Sequence, residues 1–94
     1  MRLADKVAIV TGAGSGFGEG IATRFAAEGA RVVVNDVDSA NGERVAAAIR
    51  LAGGQATFVR ADVSRGDDVK ALLQATLGAY GRLDIQINNA GVSH

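Results

Sequence analysis

The stretch Thr11-Gly12-Ala13-Gly14-Ser15-Gly16-Phe17-Gly18 follows the apolar run Val7-Ala8-Ile9-Val10 and leads into a helix-like segment from Glu19 to Glu28. The order is strand, glycine turn, helix. Glycines let the backbone approach a ligand closely, and the first N–H groups of a helix face outward together with the positive end of its dipole. An anionic phosphate is the natural guest of such a turn. Spacing then separates the classes of phosphate binder. A P-loop requires a Lys followed by Ser or Thr after G-x-x-x-x-G, and no start between Met1 and Gly18 meets that Lys. This argues against an NTPase.

The strict dinucleotide pattern G-x-G-x-x-G also fails, since a start at Gly12 meets Phe17 and a start at Gly14 meets Glu19. The glycines instead spell T-G-x-x-x-G-x-G through Thr11, Gly12, Gly16 and Gly18. A glycine-rich turn without any ligand would share these residues, so the rest of the chain has to decide.

Ten basic and ten acidic residues cancel, which removes the electrostatic case for nucleic acid or an anionic membrane as partner. Without Cys there is no disulfide, thiol nucleophile or Cys zinc site, and a single His cannot build a metal cluster. The apolar run Val7 to Val10 is too short for a signal-peptide core or a membrane span, so the default location is the cytoplasm. Ligand binding must come from a local site.

Val7 to Val10 has no polar alternation, which suits a strand covered on both faces of a parallel sheet. The following helix places Phe17, Ile21, Ala22, Phe25 and Ala26 on one face and stops at Gly29. Arg31 to Asp36 is rich in valine and reads as a second strand with Asp36 at its C-terminal end. Asp38 or Ser39 can cap a second helix, which buries Val45, Ala46 and Ile49 and ends near Leu51 before Gly53-Gly54. A third strand covers Ala56 to Arg60. Ser64 and Asp67 resemble a capping box ahead of a third helix through Val69, Leu72, Leu73, Thr76, Leu77 and Tyr80, and Gly81 ends it. Leu83 to Ile87 reads as strand four, followed by Asn88-Asn89-Ala90-Gly91. Strands alternating with three helices predict an α/β, Rossmann-like, doubly wound parallel sheet of strand order 3-2-1-4.

Asp36 lies 18 residues beyond Gly18, close to where a dinucleotide fold places the carboxylate that accepts the adenosine ribose hydroxyls. It would repel a 2′-phosphate, and Val37, Asp38 and Ser15 offer no compensating cation, so NAD is expected over NADP. The alternative is an Asx-turn before the second helix. Asp62-Val63 follows the third strand at the ligand-collecting edge of the sheet, where a turn or cap role is equally open. The amides at Asn88 and Asn89 could satisfy backbone groups or touch a ligand.

Taken together these segments resemble the N-terminal half of the short-chain dehydrogenase/reductase family over essentially all 94 residues. The resemblance implies pyrophosphate contacts around Gly12, Ser15, Gly16, Phe17 and Gly18, ribose binding by Asp36, adenine contacts from Asp62 and Val63, and a ribose-side or structural role for Asn89. Gln86 departs from it, because the family usually has an apolar residue there. The family's Ser and Tyr-x-x-x-Lys catalytic residues have no counterpart: Tyr80 is followed four residues later by Asp84, and the lysines are Lys6 and Lys70. The implied function is the NAD(H)-binding portion of a larger oxidoreductase that interconverts a hydroxyl and a carbonyl group, inactive by itself. The alternative is a non-catalytic nucleotide-binding or assembly module completed by another copy or another protein. Either way strand four would be a bare sheet edge whose side chains lack their covering helices. The expected partner is a second copy or a complementary fragment, docked on strand four and Asn88 to His94.

Overall fold

Val7, Ala8, Ile9 and Val10 have no side-chain exposure at all, so the first strand is covered on both faces, as its unalternated sequence requires. The computed structural model describes residues 2–89. In chain order the elements are β1 (Val7–Val10), α1 (Gly16–Ala27), β2 (Arg31–Asp36), α2 (Ser39–Leu51), β3 (Gln55–Arg60), α3 (Gly66–Tyr80) and β4 (Ile85–Ile87). The strands form one parallel sheet in the order β3-β2-β1-β4, which is the expected doubly wound, Rossmann-like arrangement.

Alternate residues of the central strands feed two separate cores. Val10, Val32 and Val34 meet Ala22 and Ala26 of α1 and Val45, Ala46 and Ile49 of α2. Ile9 and Val33 point the other way and meet Leu72 of α3, with Leu73, Tyr80 and Leu83 around them. The many alanines on α1 and α2 let those helices lie close to the sheet. At Gly42 the approach is closest, because a Cβ there would overlap the ring of Phe58 on β3. Among the described residues no helix is long and apolar enough to cross a membrane.

Local expectations fail in four places, each for an identifiable reason. The first helix begins at Gly16 rather than Glu19, which puts Phe17 in its first turn and leaves it 75% exposed instead of on the core face. The Ser64/Asp67 capping box does not form: α3 starts at Gly66, so Ser64 sits one residue ahead of the N-cap Arg65 and bonds back to Asp62. Strand four begins at Ile85 rather than Leu83, because Asp84 is occupied in tying the strand's start to Val7. Ile87 packs against the α1 side of the core, so β4 keeps cover there, whereas Gln86 is exposed and donates to Asn88 Oδ1 at 3.2 Å. The segment from Ala90 to His94, expected to take part in association, lies outside the described residues.

Candidate functional site

The glycine turn is stitched to the strands on both sides of β1. Thr11 N donates to Ile87 O at 3.0 Å on the β4 side, and Ala13 N donates to Asn35 O at 2.8 Å on the β2 side. Asn89 Nδ2 reaches back to Gly12 O at 3.2 Å. These bonds fix the turn over the C-terminal ends of the strands, where open parallel sheets hold their ligands.

Each glycine in the turn has its own reason. Gly12 and Gly16 have φ of 62° and 59°, in the left-handed region that L side chains rarely adopt. A Cβ on Gly18 would overlap the Gly12 carbonyl and come within 2.7 Å of Asn89 Nδ2, so the helix start, the turn and the end of β4 meet at one crowded point. A Cβ on Gly14 would lie 2.8 Å from Asp36 Oδ2. By contrast, nothing lies within 4 Å of a Cβ position on Gly16. The turn is therefore tight beneath and open above, and the backbone of the first α1 turn borders that open side. Ser15, the N-cap, is exposed and makes no side-chain cap bond. This cradle fits a diphosphate held by backbone N–H groups.

Asp36 is half-buried at the end of β2. Its Oδ2 accepts from Gly14 N and its Oδ1 from Asp38 N, both at 2.9 Å. The second bond is the Asx-turn considered from sequence, and the first joins the carboxylate to the glycine turn. An ionised carboxylate has about four acceptor sites, so both bonds leave room for hydroxyl donors. Arg60 of β3 stands in register beside Asp36.

Asp62 makes a turn of its own. Its Oδ1 accepts from Ser64 N at 3.0 Å and from the Ser64 hydroxyl at 2.6 Å, while its N–H donates to Asp68 Oδ2 at 2.8 Å. The Ser64 hydroxyl, then the Ser64 N–H, with Arg65 and Arg60 adding less, holds its carboxyl below the usual carboxylate range. Val63 packs against the α3-side core. Buried Asn35 shapes this edge from below, because its Nδ2 donates to both Val59 O and Ala61 O at 3.0 and 3.2 Å. The structure thus gathers Gly12, Ser15, Gly16, Phe17, Gly18, Asp36 and Asn89 around one turn, and sets Asp62 and Val63 on the next strand end but one.

Sequence reasoning missed Arg44. This residue of α2 donates to Glu19 Oε1 and Oε2 at 3.0 and 3.2 Å and to Gly14 O at 3.1 Å. The bond from Arg44 holds the Glu19 carboxyl below its usual range, and Arg44 is raised in return. No local spacing signals this contact, since the two residues lie on different helices. Only the packing of α2 beside α1 brings a cation to the turn.

A family model described as short chain dehydrogenase matches residues 6–94. The chain is 52% identical over 92 residues to the sex determination protein tasselseed-2 of Zea mays, covering 97% of this chain and 26% of that protein. It is 45% identical over 91 residues to a 3beta-hydroxysteroid dehydrogenase of Mediterraneibacter gnavus, covering 97% of this chain and 33% of that one. Among solved structures, a 7 alpha-hydroxysteroid dehydrogenase complexed with NADH and 7-oxo glycochenodeoxycholic acid superposes with a TM-score of 0.95 at 42% identity, over 97% of this chain and 36% of that chain. A hydroxysteroid dehydrogenase from Escherichia coli gives 0.94 at 42% identity, over 97% and 39%. The chain spans between 26% and 39% of the length of these proteins.

Proposed function

The chain belongs to the short chain dehydrogenase family, and on that premise we propose that its 94 residues are the NAD(H)-binding portion of an oxidoreductase that interconverts a hydroxyl and a carbonyl group. The observation that carries this is the bond from Gly14 N to Asp36 Oδ2, which places a carboxylate against a glycine turn that is open toward the ligand side. In this assignment Gly12, Ser15, Gly16, Phe17 and Gly18 hold the pyrophosphate, and Asp36 accepts the adenosine ribose hydroxyls. Asp62 and Val63 border the adenine, and Asn89 keeps Gly12 in place beside the ribose side. The nicotinamide would supply the hydride chemistry. The family's Ser and Tyr-x-x-x-Lys proton-transfer groups are not within these residues, so binding rather than turnover is assigned to them.

NAD is the preferred cofactor, because Asp36 faces the ribose while Arg44 is engaged by Glu19. The edge of β4 away from β1, which no strand takes among the described residues, is the association surface, for a second copy or a complementary fragment. The site assignment is tested by following backbone amide resonances on adding NAD. Shifts concentrated at Gly12, Gly14, Gly16, Gly18 and Asp36 are expected. Shifts spread elsewhere, with the glycine turn unmoved, would remove the assignment.

A further inference from the structure

Gly14 is held at both ends by opposite charges. Its N–H goes to the Asp36 carboxylate at 2.9 Å, and its carbonyl accepts from the Arg44 guanidinium at 3.1 Å. The same guanidinium holds Glu19 in a two-pronged pair through Nη1 and Nη2, so Nη2 is shared between Gly14 O and Glu19 Oε1. We propose that the Glu19–Arg44 pair is a cofactor-selecting device: Glu19 keeps Arg44 turned onto the glycine turn and neutralised, and a chain without that carboxylate would offer Arg44 to a 2′-phosphate. This rests on the dinucleotide site proposed above and names the residues that set its choice between NAD and NADP.

The pair is of a kind whose strength is comparable to that of a competing anion. The side chains of Arg44 and Glu19 are 52% and 36% exposed, and pairs in that setting are weak because solvent screens them. Such a pair is easily traded. A phosphate carries a larger charge and presents oxygens in the geometry a guanidinium fork matches, so its hydrogen bonds to Arg are stronger than those of a solvated carboxylate. What stands against the exchange is Glu19 as competitor and Asp36 as repelling neighbour. Removing Glu19 removes the competitor while leaving the ribose carboxylate in place. Glu19 lies outside the core clusters, so its substitution leaves the packing of α1 intact.

The test is calorimetric titration of NAD and NADP into the unmutated chain, Glu19→Gln, and three double variants that combine Glu19→Gln with Arg44→Met, Arg44→Lys or Arg60→Met. Glu19→Gln is expected to raise the ratio of NADP to NAD affinity by up to about fivefold, the most that releasing an exposed ion pair supplies. Arg44→Met should erase that gain, Arg44→Lys should keep part of it by retaining the charge, and Arg60→Met should leave it in place. An unchanged ratio in Glu19→Gln, with both cofactors still bound, overturns the proposal. So does a gain that survives Arg44→Met and vanishes with Arg60→Met. Failure of the unmutated chain to bind either cofactor would instead remove the dinucleotide site on which the proposal rests.

Discussion

Asn89 Nδ2 donates to Gly12 O at 3.2 Å, so the segment just after β4 holds the start of the glycine turn. Gly18 is wedged against both partners of that bond. The turn therefore takes its shape from three segments at once, which makes the consequences of small substitutions specific.

Gly18→Ala should be destabilising and should weaken dinucleotide binding together. The added Cβ overlaps the Gly12 carbonyl, which is backbone and cannot rotate away, and overpacking of this kind costs about 1–3 kcal/mol. Thermal unfolding should fall by about 4–8 °C per kcal/mol in a domain of this size. An unchanged midpoint would show that the turn can shift.

Gly42→Ala sets two effects against each other. Alanine favours a helix interior over glycine by about 0.5–1 kcal/mol, yet the new methyl would run into the Phe58 ring. Overpacking outweighs the helix preference, so the single variant should be less stable in urea unfolding. Combining it with Phe58→Leu should recover much of the loss. A stabilised single variant would mean that the partly exposed ring swings out freely.

Asp84 links stability to pH. Its carboxylate accepts from Val7 N at 2.9 Å and from two nitrogens of Arg82, and the Arg82 bond, with the Val7 N–H second, holds its pKa below the usual range. A carboxylate depressed in the folded state contributes stability above the unfolded value of about 3.9, and that contribution is lost as pH falls through the folded value. Asp84→Asn should thus lower stability by a constant amount at neutral pH, with the difference from the unmutated chain closing below about pH 4. A difference that persists unchanged in acid would assign the effect to shape rather than charge.

Much of this was legible in the chain, for reasons that lie in particular residues. Val7 to Val10 announces a strand buried on both faces because no polar residue interrupts it, and Asp36 meets the glycine turn because the strand it ends lies directly beside β1. Phe17 escapes the sequence pattern because a helical periodicity extends backward as readily as forward, while the backbone at Gly16 already turns into the helix. Ser64 looked like a cap, but one residue of offset gave its hydroxyl to Asp62 instead. Arg44 could not be read at all. Its role depends on two helices packing side by side, a relation that local spacing does not carry.

The sheet order predicts association through β4. The strand pairs with β1 on one edge, and among the described residues no strand takes the other. A strand edge without a neighbour presents N–H and C=O groups on which another chain can pair. Sedimentation over a wide concentration range should show a self-associating species, and substituting Gln86 by Lys should shift it toward monomer. A monomer at every concentration would contradict this.

The role of Asp36 as the ribose carboxylate is measured most directly by calorimetric titration of NAD and NADP against the unmutated chain and Asp36→Arg. The unmutated chain should bind NAD more tightly than NADP, and Asp36→Arg should reverse the order by removing the repelling charge and supplying a cation. Equal affinities in the unmutated chain, or an order that Asp36→Arg leaves unchanged, would contradict it.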